Sequence, residues 1–177
     1  FDIEEFRASD SKYSWTLKEL ARLPIHWYGG SDLSKLYDLT AAAMFGHYNG
    51  VDIIIPHCWF PLAAATVKAH EDNIPLFGWK EDGWLDMSND KTTNHSDVVR
   101  WYKHMRDDLG FRFRRIGHDR KFCTEYYVEM KQAHFSVKDQ PQLMTRKSMG
   151  FRYLENSAKR GTLYYLHAEP FEYCVQN

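Results

Sequence analysis

Ile25-His26-Trp27-Tyr28-Gly29-Gly30-Ser31-Asp32, Asp38-Leu39-Thr40-Ala41-Ala42-Ala43-Met44-Phe45 and Val51-Asp52-Ile53-Ile54-Ile55 are three apolar or aromatic runs in close succession. The first ends in small residues and a carboxylate. The second stops at Tyr48-Asn49-Gly50. Asn-Gly between two apolar runs is a hairpin signal, because both residues tolerate positive φ. The third run restarts with β-branched residues, which suit a pleated surface. Together they predict three consecutive strands in an antiparallel meander.

Downstream the rhythm changes. Val98, Tyr102, Met105 and Leu109 recur at helical spacing, and Gly110 stands where a helix stops. Phe111-Arg112-Phe113-Arg114-Arg115-Ile116 alternates like a strand and runs into Gly117-His118-Asp119. Phe122, Tyr126, Met130 and Ala133 form a second helical stripe, and Phe135-Ser136-Val137-Lys138 a short strand. Phe151, Leu154 and Ala158 mark a last helix closed by Gly161. Strands alternating with helices imply parallel strands with covering helices. The expected sheet is mixed, with the meander on one side and βαβ units on the other.

The 177 residues suffice for one domain, or one with a short appendage. Aromatic residues make up 16%, which excludes a disordered chain. No run approaches the roughly 20 apolar residues of a membrane span. The stretches around Val51–Ile55 and Trp59–Ala65 are short and are broken by Pro56 and Pro61. The acidic start, Phe1-Asp2-Ile3-Glu4-Glu5, lacks the features of a signal peptide, and its missing Met points to a fragment or processed product. Residues 1–24 are polar, with weak periodicity, and read as a leading arm or linker. Residues 25–177 read as the domain proper. The formal charge of −1, from 23 basic and 24 acidic residues, argues against a histone-like DNA coat. It does not exclude a nuclease, whose carboxylates offset a local basic face. The cysteines, Cys58, Cys123 and Cys174, are odd in number and form no C-x-x-C pair, as expected of free thiols in a reducing compartment.

Two carboxylates stand out by position. Asp32 ends the first strand among glycines, and Asp119 follows the strand over 111–116 directly after Gly117-His118. Sites of open α/β sheets gather at the carboxyl ends of strands. If those two strands are neighbours, the carboxylates meet there, and hard oxygen ligands suit Mg²⁺ or Mn²⁺. The plainer reading is that an Asp after a strand forms a turn or caps a helix. Strand order decides between the two, and composition does not supply it. The nine histidines show no zinc-ligand spacing, and nothing local activates Cys58 or Cys123 as a nucleophile. Basic residues cluster at Arg112, Arg114, Arg115, Arg120 and Lys121, and again at Arg146, Lys147, Arg152, Lys159 and Arg160. Either cluster could bind phosphates, although solvated faces are the commoner meaning of such runs. No P-loop motif is present.

At these residues the sequence resembles the nuclease domain of the tailed-bacteriophage large terminase subunit, within the ribonuclease H-like superfamily. Gly30-Ser31-Asp32-Leu33-Ser34 with Asp38-Leu39-Thr40-Ala41 is similar to the family's opening motif. Asn73-Ile74-Pro75-Leu76, Trp79-Lys80-Glu81-Asp82-Gly83-Trp84-Leu85 and Ile116-Gly117-His118-Asp119-Arg120 follow in the family's order. So do Gly161-Thr162-Leu163, His167-Ala168-Glu169-Pro170 and Asn177. His118 stands where Tyr is common. The resemblance covers roughly residues 27–177.

The resemblance implies an α/β fold, a ribonuclease H-like mixed sheet of a three-strand antiparallel meander plus two parallel strands, with flanking helices. It places the first strand beside the one over 111–116. It implies that Asp32 and Asp119 are two of three metal-binding acids, with Asp38 in support. The third acid lies further downstream in the family, so the C-terminal part of the domain is expected to be missing here. Lys35, Arg120, Lys121, Arg146 and Lys147 become candidate DNA contacts. The implied activity is a two-metal endodeoxyribonuclease, using Mg²⁺ or Mn²⁺, that cuts concatemeric double-stranded phage DNA during packaging. Implied partners are an upstream ATPase domain, the small terminase subunit and the portal protein, in the cytoplasm of the infected host. Two other readings stay open: an inert ribonuclease H-like nucleic-acid-binding module, and another enzyme of that fold, a transposase or junction resolvase.

Overall fold

A computed structural model describes residues 1–34, 38–118, 124–140 and 144–177, the side chains of Met144 and Thr145 excepted. Asp119, Lys35, Arg120, Lys121 and Cys123 therefore lie outside the described residues.

The meander expected from the three runs is present as β1 (His26–Asp32), β2 (Thr40–Tyr48) and β3 (Val51–Pro61). β2 pairs antiparallel with both neighbours, and the Tyr48↔Val51 pair closes the hairpin. Asn49 and Gly50 take φ of 50° and 80°, the backbone that a two-residue turn requires. β3 runs five residues past Pro56. The backbone N–H groups of Asp52 and Cys58 donate away from β2, to Thr162 and Trp84. Pro56 has the same parity. On that edge β3 is paired only at 52–53 and 58–61, so proline faces a gap where no ladder bond is lost.

Next come α3 (Leu62–Glu71), α4 (Leu76–Glu81) and β4 (Leu85–Ser88), which lies parallel to β3. The helix predicted over 98–109 is α5 (Ser96–Lys103), continued by a π-helical turn at His104–Asp108 and ended by Gly110 at φ 92°. β5 (Arg112–His118), α6 (Thr124–Gln132), β6 (Val137–Asp139) and α7 (Met144–Lys159) follow in the predicted order. The short β7 (Leu163–Tyr164) and α8 (Glu169–Gln176) close the chain. The seven strands among the described residues form one sheet ordered β4-β3-β2-β1-β5-β6, with β7 on β3. The meander on one side and parallel β5 and β6 on the other are as expected; β4 and β7, both parallel to β3, are strands that the sequence reading did not foresee.

β1 and β5 run parallel, in register from His26↔Arg112 to Ser31↔His118, with a bulge that inserts Arg114 between Trp27 and Tyr28. The bulge explains why the alternation of 111–116 breaks at Arg114-Arg115. Phe113 and Ile116 both reach the same buried face, where they meet Tyr102 and Phe135, and the two arginines between them stay exposed. That face is covered by α5 and α6 and holds Trp27, Met44, Ile53, Tyr102, Tyr126 and Met130.

The leading residues divide between the two faces: Phe6 joins a second cluster on the opposite face with Ile54, Ala158 and Tyr165, whereas Leu20 joins the cluster of Trp27 and Met44. Residues 1–24 contain two helices, α1 (Ile3–Asp10) and α2 (Leu17–Arg22), each opened by a side-chain cap, Asp2 and Thr16. Phe6 and Leu20 are buried. Ser9 Oγ both donates to the Leu163 carbonyl and accepts from its N–H, at 2.8 Å each. The buried Asp10 carboxylate accepts from the N–H groups of Tyr165 and His167 and contacts His167 Nδ1. Asp52, also buried, accepts from Tyr153 OH at 2.9 Å and Ser157 Oγ at 2.7 Å, with His47 Nδ1 at 2.8 Å. Buried carboxylates persist only with such partners. Asp10 thereby fixes the turn before α8, and Asp52 fixes α7.

Gly46 sits under Trp27: a Cβ there would lie 2.7 Å from the indole and 2.9 Å from Ile25 Cγ2. Gly46→Ala should overpack this core and cost about 1–3 kcal/mol in urea unfolding. Unchanged stability would show that Trp27 is not held against β2.

Candidate functional site

Asp32 is the last residue of β1 and is exposed. Strand alternation puts Trp27, Gly29 and Ser31 on the α5/α6 face, so Tyr28, Gly30 and Asp32 belong to the other. Ser31 anchors the strand end. Its Oγ lies 3.0 Å from Tyr102 OH and 2.9 Å from Tyr126 OH, and Tyr102 OH donates to the Gly30 carbonyl at 3.0 Å. Burial pushes the Tyr102 hydroxyl well above its ordinary value, so it remains a donor. Beyond Asp32, the buried Thr40 bonds both the N–H and the carbonyl of Ser34, and His95 Nε2 lies 2.9 Å from that carbonyl. The strand end is therefore fixed on both sides of the carboxylate.

The β1–β5 pairing is described as far as Ser31↔His118, one residue short of Asp32 on one strand and of Asp119 on the other. His118 is buried, stacked on Tyr127 with ring centroids 5.5 Å apart. Gly30 pairs with Gly117, and a Cβ at Gly30 would meet nothing within 4 Å. At Gly117 the Gln140 side chain lies over the backbone, its Oε1 3.0 Å from where a Cβ would stand, so among the described residues Gly30 is the open position of the pair. β6 ends at Asp139, paired with His118; beside Asp32 it is a further described carboxylate at this end of the sheet, one that the sequence reading did not single out.

In front of this face lies a cavity of about 580 Å³. Its walls include Tyr28, Gly30, Asp32, Ala41, Gly117 and Gln140, with Leu154 of α7 and Phe171 and Cys174 of α8. Burial raises the Cys174 thiol, and the negative charge of Asp32 adds to the shift. Burial, with a smaller contribution from Cys174, pushes Cys58 up to about 12, which leaves it a protonated thiol rather than a nucleophile.

The other expected residues fall as follows. Asp38 is exposed in the bend before β2. Lys68, held above its ordinary value chiefly by its hydrogen bond to Asp72, also feels the charge of Asp38. Arg146 and Lys147 are exposed near the start of α7. No group of three metal-ligating side chains is present among the described residues. The carboxylate oxygens of Asp32, open to solvent beside Gly30, nevertheless have the donor chemistry of a Mg²⁺ or Mn²⁺ ligand. No helix among the described residues is long and apolar enough to cross a membrane.

No protein-family profile matches the chain. Over 77 residues, 43% of the chain, it is 32% identical to the large terminase subunit of Enterobacteria phage HK97; the match takes in 15% of that protein. The crystal structure of the HK97 large terminase superposes on 99% of the chain with a TM-score of 0.83 and 20% identity. The fold is that of the large-terminase nuclease domains. The resemblance read from the motifs is borne out. The chain spans 35% of the HK97 subunit's length. The human cytomegalovirus terminase nuclease domain, manganese-soaked and inhibitor-bound, superposes on 99% of the chain and 84% of its own, with a TM-score of 0.58 and 11% identity. The magnesium-bound nuclease domain of the large terminase from thermophilic phage G20c covers 88% of the chain and 66% of its own, with a TM-score of 0.53 and 11% identity.

Ser31→Ala should strip a partner from two tyrosine hydroxyls at once and cost about 1–3 kcal/mol in urea unfolding. A loss within error of zero would mean that Ser31 does not fix the end of β1.

Proposed function

We propose that this chain is the nuclease domain of a phage large terminase subunit, a metal-dependent endonuclease that cuts concatemeric double-stranded DNA during genome packaging. The observation that supports it most is the parallel pairing of β1 with β5, which brings the carboxyl ends of the two strands side by side. In this reading the register continues one step further, and Asp32 and Asp119 hold Mg²⁺ or Mn²⁺ between them. The magnesium-bound and manganese-soaked relatives support that choice of ion. When bound, paired divalent ions supply Lewis acidity and orient the attacking and leaving oxygens of a phosphodiester.

The chain's own residues do the rest. Ser31, Tyr102 and Tyr126 hold the strand end rigid, so the Asp32 carboxylate needs no reorganisation as charge develops. Gly30 adds no side chain to the approach to the site, and Gln140 lies over Gly117 beside it. Asp38 supports the acidic end from the bend before β2. Lys35, Arg120, Lys121, Arg146 and Lys147 neutralise phosphates, and such contacts position DNA without reading its sequence. A third carboxylate comes from elsewhere in the full-length subunit. The upstream ATPase domain, the small terminase subunit and the portal protein are the partners of this reading, and the host cytoplasm is its setting.

With supercoiled plasmid and Mn²⁺, the chain should yield nicked and linear products. Asp32→Asn and Asp119→Asn should each lower the rate by about 100-fold or more, the scale of losing one stabiliser of transition-state charge. Asp32 is exposed, so its variant should unfold within about 0.5 kcal/mol of the parent. Undiminished cleavage by either variant removes that residue from the mechanism. Plasmid bound but never cut by the parent chain favours the inert binding module.

A further inference from the structure

Helix α7 is buried at one end only. From Leu154 onward it packs normally, with Ser157 and Ala158 inside. Its eight residues from Arg146 to Tyr153 are all exposed, Met149 to 69%. A helix on a globular surface ordinarily hides an apolar stripe; here only the far end of the segment has partners, Phe151 edge-on to Phe1 and Tyr153 edge-on to Phe45 with its OH on Asp52, and residues 146–150 hide none. Arg146, Lys147 and Arg152 are its charged residues, with no acid between 144 and 154. Among the described residues none of the three makes an ion pair. The first turn of α7 carries no acid, so Arg146 and Lys147 stand at the end where the helix dipole disfavours cations. Gly150 sits mid-helix, where glycine weakens a helix, yet a Cβ there would meet nothing within 4 Å. No packing among the described residues asks for glycine.

We propose that the N-terminal half of α7 is a docking surface for duplex DNA. Arg146, Lys147 and Arg152 take phosphates, Gly150 lets the sugar–phosphate chain close on the helix, and Met149 packs against the sugars. Charge complementarity selects DNA over a second copy of this chain, whose net charge is −1. The surface leads to the site, because Leu154, one turn further on, lines the same cavity as Asp32. The choice of DNA as partner rests on the nuclease reading; the surface itself rests on α7 alone.

The test is fluorescence anisotropy on a labelled duplex of about 30 base pairs, in EDTA so that no cleavage occurs, across a salt series. Combining Arg146→Ala, Lys147→Ala and Arg152→Ala should lower the slope of log affinity against log salt by about 2–3, at roughly 0.9 per phosphate contact. Gly150→Leu should leave the thermal midpoint unchanged or raised, since Leu favours helix, while weakening binding about tenfold, the loss of one good contact. A merely solvated helix would gain stability and bind as before. An unchanged slope in the triple variant overturns the proposal. So does a parent chain that sediments as a dimer and becomes monomeric on Met149→Glu, which would assign the surface to a second copy. If the parent never nicks plasmid yet the slope falls, the docking surface stands and the nuclease reading fails. If Asp32-dependent nicking persists with the slope unmoved, the reverse holds.

Discussion

The pairing of β1 with β5 is the constraint on which the rest depends. The two strands are separated by the hairpin, the edge strand β4 and helix α5, and are joined side by side, parallel and in register up to Ser31↔His118. Parallel pairing aligns strand ends of the same polarity, so whatever follows each strand shares one end of the sheet. The bulge at Arg114 is the local cost of that alignment. It keeps Phe113 and Ile116 on the buried face while turning two consecutive arginines out. Without it, β5 would face the wrong way over half its length.

The helices on the open face are held by charge rather than by apolar packing alone. Asp52 fastens Tyr153 and Ser157 of α7, and Asp10 fastens the Tyr165–His167 turn that launches α8. Leu166 and His167 both adopt left-handed backbone, at φ of 57°. Such strain persists where neighbours over-determine it, and Asp10 supplies the bonds that do so. Arg7 adds a direct 2.6 Å bond from α1 to Glu172 of α8. The leading residues thus help to set the wall that faces Asp32.

Much of the fold was legible in the sequence where a local rule coincided with the global answer. Asn49-Gly50 specified the hairpin, and the 98–109 stripe specified α5, because each signal is carried by neighbouring residues. Strand order was not legible, since pairing residue 31 with residue 118 is a tertiary fact, and the family resemblance supplied it. Residues 1–24 carry little apolar periodicity, because short helices that bury one apolar side chain each, Phe6 and Leu20, leave almost none. Pro56 looked like a break and is not one, since the gap it faces exists only once β4 and β7 are placed. At the site, Asp32 was readable from its strand-end position. The bond from Ser31 to two distant tyrosines was not, as three hydroxyls scattered over 95 residues give no pattern.

The central claim is that Asp32 and Asp119 share divalent cations at the joined ends of β1 and β5. Anomalous diffraction from a manganese-soaked crystal of this chain tests it most directly. The account predicts a manganese peak with carboxylate oxygens of both residues as ligands, at about 2.1 Å as for a hard octahedral ion. Manganese held elsewhere, with the two carboxylates on opposite faces of the sheet, would contradict it.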